Sequence, residues 1–449
     1  MDLPAPTYAV RKDIEGLRAL AVLAVVAGHT IRTALRGGFC GVDVFFVISG
    51  YLIGKHLLED IHTGRFSFLR FYARRARRLL PALVLVLTAV WGVGWVILSA
   101  PELAALGRHI AAASVFSNNF LLWSESGYFD AVSTSKPLLH LWSLGIEEQF
   151  YLLVPLLLWL GARGRQGSVR WVMWLSVGSL LLTELQLAPS FYLLDARFWE
   201  LGAGVMIGYL SLHEATLGRG TPALGKRGYR EILAGALLLT FAAALRCGVQ
   251  QWDAGLLGAS SGVGALLVLG TSAAQLAGTY RRPTAWERLA RACRRHEGVL
   301  RDGVAALGIA IVVASFFALT SADWPGPQTL LPVLGTALII GAGPSARVNR
   351  FLAWRPLVYV GGISYPLYLW HWPALVFWRM LVPDTSLVVV PVGASLLLAW
   401  VTRELVENPA RFGRLCGATV RRPPVWVLFA ALVTTGLIGI SAVATSGYP

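Results

Sequence analysis

The chain has 449 residues, 56% of them hydrophobic and only 14% charged, with a formal net charge of +15 and a mean hydropathy of +0.61. A soluble domain carries about 25% charged residues, so this composition excludes an ordinary water-soluble fold. The basic excess suits either nucleic acid or a membrane surface, and only its placement along the chain decides between them.

Apolar runs of about 17–25 residues, the length a helix needs to cross a bilayer, recur from end to end. They predict spans near 16–35, 42–58, 79–98, 138–160, 169–187, 193–212, 231–247, 254–274, 302–320, 328–343, 357–380, 386–404 and 425–445. The expected fold is an all-α integral membrane protein with about 11–13 transmembrane helices in one bundle. Most of the 39 Lys and Arg residues fall in alternate connections, at 65–78, 163–170, 219–230, 281–301, 347–355 and 403–422, or near the N-terminus at Arg11, Lys12 and Arg18. Such alternation marks cytoplasmic loops, so it predicts a cytoplasmic N-terminus and removes nucleic acid as a partner. The first run carries Arg18 and His29 and has no small-x-small exit, so it reads as a retained span rather than a cleaved signal. Several of the 17 Trp sit at the ends of runs, as in interfacial belts. The connection 100–137 contains HIAAASVFSNNFLLW, which predicts a helix lying at the interface or re-entering. The four Cys have neither metal-ligand spacing nor a disulfide framework, and no metal is predicted.

Each ionisable group inside a span costs about 2.5 kcal/mol or more, which makes each a functional candidate. In the first helix, GLRALAVLAVVAGH, Arg18 and His29 are eleven residues apart. At 100° per residue they share one face, roughly 16 Å apart along the axis. An imidazole can take a hydroxyl proton near neutral pH, and a guanidinium can hold an anion; a packing histidine is the plain alternative. Asp43, opening the second helix, can orient His29 or cap its own helix. Arg74, Arg75, Arg77 and Arg78 crowd the start of the third span, either matching phosphate oxygens or serving as a topogenic, headgroup-facing cluster. In HLWSLGIEEQFYLLVP, His140, Ser143, Glu147 and Tyr151 share a face, and the adjacent Glu147 and Glu148 call for an Arg partner or a proton. Arg197 and Glu200, three apart in DARFWELGAG, can neutralise each other. In GGISYPLYLWHWP, Ser364 and His371 share a face with Tyr368 beside them, and Pro366 and Pro373 bend the helix.

These segments, taken in order from Asp13 to Phe412 with LLPVLGTALII and VENPARF, resemble the membrane-bound acyltransferase-3 family. Any one segment is weakly specific; the ordered set is highly specific. The resemblance implies a membrane O-acyltransferase that moves an acyl group, in the family commonly acetyl, from cytoplasmic acyl-CoA to a hydroxyl of a surface glycan, a glycolipid or a small molecule. It implies location in the bacterial inner (cytoplasmic) membrane, in contact with membrane lipid. The family's Arg-x10-His motif falls on Arg18 and His29. Its Arg-Arg-x-x-Arg motif falls on Arg74, Arg75 and Arg78 as a site for the donor's phosphates, and its Trp-Ser-Leu-x-x-Glu segment on Trp142 to Glu147. On this reading His29, Glu147 and Asp43 form the catalytic set, with Arg18 and the three arginines holding the donor. Ser143, Glu148, Tyr151, Arg197, Glu200, Tyr368 and His371 complete a polar network around them. His29 would deprotonate the acceptor or carry the acyl group itself, with Glu147 and Asp43 orienting it.

Residues 1–412 are expected to form the acyltransferase domain, with an additional helix pair near 231–274. Residues 413–449 are expected to form a cytoplasmic linker and a final transmembrane helix, without the extracytoplasmic hydrolase-like domain of longer members. A separate extracytoplasmic partner protein could then complete transfer to a glycan. A transporter or flippase of a lipid-linked saccharide is the rival reading; it predicts repeat symmetry, which the sequence does not display.

Overall fold

With no water in a bilayer core, a spanning backbone satisfies its N–H and C=O groups internally, and here it does so as helices. The computed structural model describes residues 10–31, 34–126, 135–163, 169–185, 191–217, 297–321, 324–382, 387–415 and 418–445. In chain order these form α1 (Lys12–Thr30), α2 (Gly41–His62), α3 (Phe68–Ile97), α4 (Ala100–Ser114), α5 (Asn118–Glu125), α6 (Trp142–Arg163), α7 (Arg170–Glu184) and α8 (Phe198–Leu217). There follow α9 (Glu297–Ala318), α10 (Leu330–Ala342), α11 (Arg347–Leu352), α12 (Arg355–Gly362), α13 (Ser364–Leu381), α14 (Val389–Thr402), α15 (Asn408–Phe412) and α16 (Val425–Ala444). Among the described residues the only strands are Arg414–Leu415 and Ala418–Thr419, paired antiparallel.

Every span predicted on described residues overlaps a helix, and the connection 100–137 supplies α4 and α5. The helix pair predicted near 231–274 and the basic connections 219–230 and 281–295 lie outside the described residues. Six helical stretches among those described are long and apolar enough to cross a membrane: Gly38–His62, Phe68–Ile97, Leu139–Arg163, Gly298–Ala318, Val389–Phe412 and Val425–Ala444. Their outward faces carry bare apolar side chains such as Val96, Leu152, Val389 and Ile440. Water would penalise that surface and lipid does not. The protein is an all-α integral membrane bundle.

Two differences from the predicted spans have local causes. α3 starts at Phe68, well before its apolar run, with the Ser67 hydroxyl accepting from the Arg70 amide at 3.4 Å; the arginine cluster is therefore helical. The stretch 357–380 is two helices rather than one, breaking at Ile363. Gly361 and Gly362 favour the break, and Pro366 has no N–H to return to the Gly362 carbonyl.

Close backbone approach sets the scaffold around the site. α2 lies against α1, α6 and α8. A Cβ added at Gly50 would stand 1.8 Å from the Leu201 carbonyl oxygen, and one at Gly204 would stand 2.2 Å from that of Val47. α1 is held as tightly from its other side. A Cβ at Gly16 would come within 1.8 Å of the Leu352 oxygen, and one at Gly361 equally near that of Glu15. Small residues that let backbones touch are the usual glue between helices in lipid, where burial of apolar surface offers no driving force. α3 packs against α13, α16 and a π-helical turn at Arg403–Glu407. α16 runs along both α3 and α4.

Candidate functional site

Between α1, α2, α3, α6 and α13 lies a cavity of about 80 Å³. Arg18, Arg75 and Arg78 line it together with Ser49, Glu147 and Tyr151, and Ser143, Ser364, Tyr365 and Tyr368 complete its polar wall. Its arginine side is densely cationic. Arg75 forks onto Glu148, with Nε 2.8 Å from Oε1, and its guanidinium lies 3.4 Å from the centre of the Tyr151 ring. Arg18 bonds Glu15 at 2.9 Å, one turn away on α1. Arg78 makes no ion pair among the described residues, and Arg18, Arg75, Arg411 and Glu407 are the charges around it. Glu147 turns to α2, where its Oε1 accepts from the Ser49 hydroxyl at 2.6 Å.

Tyr368 joins this cavity to a histidine cluster. Its hydroxyl meets Ser143 Oγ at 2.6 Å and donates to the His140 carbonyl at 2.7 Å. Its own carbonyl oxygen lies 2.7 Å from His371 Nδ1. His371 Nε2 in turn lies 3.2 Å from Nδ1 of His29, at the far end of α1 from Arg18. α13 fixes His29 in two further ways. The Trp372 ring packs edge-on against the imidazole, with centroids 4.7 Å apart, and Arg379 Nη2 donates to the His29 carbonyl at 2.7 Å. Trp372 is itself tied down, its Nε1 donating to the Lys136 carbonyl at 2.9 Å. The Lys136 ammonium and His109 both bond Glu125, each at 3.0 Å. The His109 hydrogen bond leads in holding the Glu125 carboxyl down to about 2, against the opposing effect of burial. The residues that present the imidazole are thus braced by a salt-bridged segment between α5 and α6.

Asp43 stands apart from its expected place. Its Oδ1 lies 2.8 Å from Arg197 Nη1, which also meets Glu200 Oε1 at 2.8 Å. None of the three side chains is more than 1% exposed, and the Phe191 ring covers the guanidinium at 4.6 Å. The expected Arg197–Glu200 pair therefore forms, but Asp43 completes that cluster instead of orienting His29, whose Nδ1 faces His371. The physical reason is charge: a buried guanidinium between two helices recruits the nearest carboxylates from both. Arg74 is also placed differently. It is 43% exposed and reaches Asp60 at 3.4 Å, outside the cavity that Arg75 and Arg78 line. Glu148 serves as the partner of Arg75, and Tyr151 as the face beneath it.

Several site residues were not singled out from sequence. Ser49 and Tyr365 look like ordinary helix residues until the fold brings them to the cavity. Arg379 did carry a signal, being one more cation in an apolar helix, subject to the same cost that drew attention to Arg18.

The relatives fit this arrangement. The chain is 29% identical over 427 residues to a Bacillus subtilis (strain 168) protein named "Putative peptidoglycan O-acetyltransferase YrhL". It is 27% identical over 410 residues to O-acetyltransferase OatA of Staphylococcus aureus (strain NCTC 8325 / PS 47). Each match takes in 89% of this chain but only 54% and 57%, respectively, of the relative, so the chain spans about half the length of either. No solved structure matches it. The model of the acyltransferase domain matches residues 11–404, nearly the whole of the bundle just described, and the chain belongs to that acyltransferase family.

Proposed function

We propose that this membrane bundle is an O-acetyltransferase, taking an acetyl group from acetyl-CoA on its cytoplasmic side and passing it to a hydroxyl of a cell-envelope glycan in the bacterial inner membrane. The observation that carries this reading is the polar path: cations at one end of a cavity, and at the other Tyr368, whose backbone holds the histidine pair. Arg78, lining the cavity without an ion pair among the described residues, is suited to a phosphate of the donor, with Arg75 and Arg18 beside it. The placement of the basic connections supports an N-terminus and an arginine end in the cytoplasm. The acceptor class is supported by the name of the B. subtilis relative, and the donor by the anion-binding character of the arginine end.

In the reaction, His29 removes the acceptor's hydroxyl proton as the oxygen attacks the thioester carbonyl. The new C–O bond forms, the C–S bond breaks, and the proton passes to the departing thiolate. The test is transfer of labelled acetyl from acetyl-CoA to peptidoglycan fragments by the full chain in proteoliposomes. Wild type should label the acceptor, and His29→Ala should lose roughly 10²–10⁴-fold in rate while remaining in the membrane. Wild-type turnover by His29→Ala would overturn the assignment of the base.

A further inference from the structure

Hydrogen-bond direction at the histidine pair carries one more step. His371 Nδ1 lies 2.7 Å from the Tyr368 carbonyl oxygen, and a carbonyl only accepts. His371 Nδ1 therefore carries a hydrogen. A neutral imidazole has a single N–H, so His371 Nε2 is a lone pair. That lone pair lies 3.2 Å from His29 Nδ1, which must supply the hydrogen between them. In neutral His29 the remaining nitrogen, Nε2, is then the basic one.

The ring geometry agrees. The two rings are 2° from parallel with centroids 5.4 Å apart. For nitrogens 3.2 Å apart, that separation leaves room only for the two ring radii, so the bond lies in the plane of both rings. Rings packed face to face would have their centroids closer. Trp372, edge-on to His29, opposes a turn of the ring away from this bond, and Arg379 holds the backbone that carries it through the His29 carbonyl. The third imidazole, His140, does not compete for it. Its Nε2 faces the Leu369 carbonyl at 3.2 Å, and its ring lies edge-on to His371.

We propose that His371 is a positioning residue that locks His29 in the tautomer with Nδ1 protonated and Nε2 free of hydrogen, so that Nε2 is the atom that takes the acceptor's proton. An imidazole here does what a carboxylate does in a serine-hydrolase triad, but without bringing a negative charge into the membrane. The role rests on His29 being the base, whereas the tautomer stands on geometry alone, so the experiment reads the two separately.

Protein labelled with ¹⁵N-histidine and placed in bilayers at about pH 8.5, two units above the ordinary imidazole pKa of ~6.5, reports each ring nitrogen by NMR as protonated or not. The His29→Ala spectrum identifies the His29 signals. Wild type should show His29 protonated at Nδ1 and bare at Nε2, and His371→Gln, whose amide oxygen stands where Nε2 stood, should keep that pattern. His371→Ala should mix the tautomers. Kinetically, His371→Ala should lower kcat about 10²-fold with the KM for acetyl-CoA within about twofold, and His371→Gln should recover at least about tenfold of the loss. Wild-type His29 protonated at Nε2 overturns the proposal even if His371→Ala fails to fold, as does a Gln variant no better than Ala. Wild type that shows the tautomer but transfers no acetyl would sink the catalytic reading and leave the geometry standing.

Discussion

Two arginines inside this bundle are treated in opposite ways. Arg197 is answered from two helices, by Asp43 and Glu200, each at 2.8 Å, and is roofed by an aromatic ring. Arg78 lines a cavity with Arg18 and Arg75 and has no ion pair among the described residues. Both are costly to place in a membrane bundle, and only the first has carboxylates within ion-pair distance, whereas around Arg78 the one carboxylate, Glu407, is outnumbered by Arg18, Arg75 and Arg411. A cation sealed between carboxylates holds helices together. One left facing a cavity, among other cations, is suited to a charge that arrives from outside.

Three substitutions test that contrast. The largest effect on stability is expected from Arg197→Ala, which strands two buried carboxylates and should cost about 3–5 kcal/mol. Thermal unfolding of the purified protein in detergent reads it, and an unchanged midpoint would remove the clamp from the comparison. Arg78→Gln should leave that midpoint unchanged or slightly higher, because it relieves repulsion among neighbouring arginines. Its effect belongs in the KM for acetyl-CoA, raised about 10- to 100-fold for the loss of a charge-assisted contact of about 1.5–3 kcal/mol. An unaltered KM would return the arginines to a topogenic role. Arg74→Gln should do least, shifting KM by less than about twofold and stability by less than about 1 kcal/mol, as befits a half-exposed pair. A defect equal to that of Arg78→Gln would show that the donor uses a wider surface than the cavity.

The same contrast explains what could be read from the chain. Spans were legible because each is a continuous local signal, and Arg197–Glu200 because one helical turn joins them. The face shared by Arg18 and His29 was legible for the same reason. The partner of each group on another helix was not. Asp43 is 154 residues from Arg197, and His371 is 342 residues from His29; no spacing rule reaches so far. Glu147 likewise finds Ser49 across 98 residues rather than a neighbour on its own helix. Arg74 was a different kind of difference. Positions 74 and 75 each lie about one turn before 78, so both share a face with Arg78 by periodicity, and only the packing of α3 against its neighbours turns Arg75 into the cavity and Arg74 toward Asp60.

The glycine contacts of α1 have a mechanical consequence. With Gly16 seated on the Leu352 carbonyl and Gly361 seated on that of Glu15, this helix has no lateral slack at its arginine end. Arg379 and His371 grip its other end. Spans that face lipid can tilt to follow a thicker or thinner membrane. A helix clasped at both ends keeps its place among its neighbours instead, so Arg18 stays with the other arginines and His29 with His371 whatever the thickness of the surrounding bilayer.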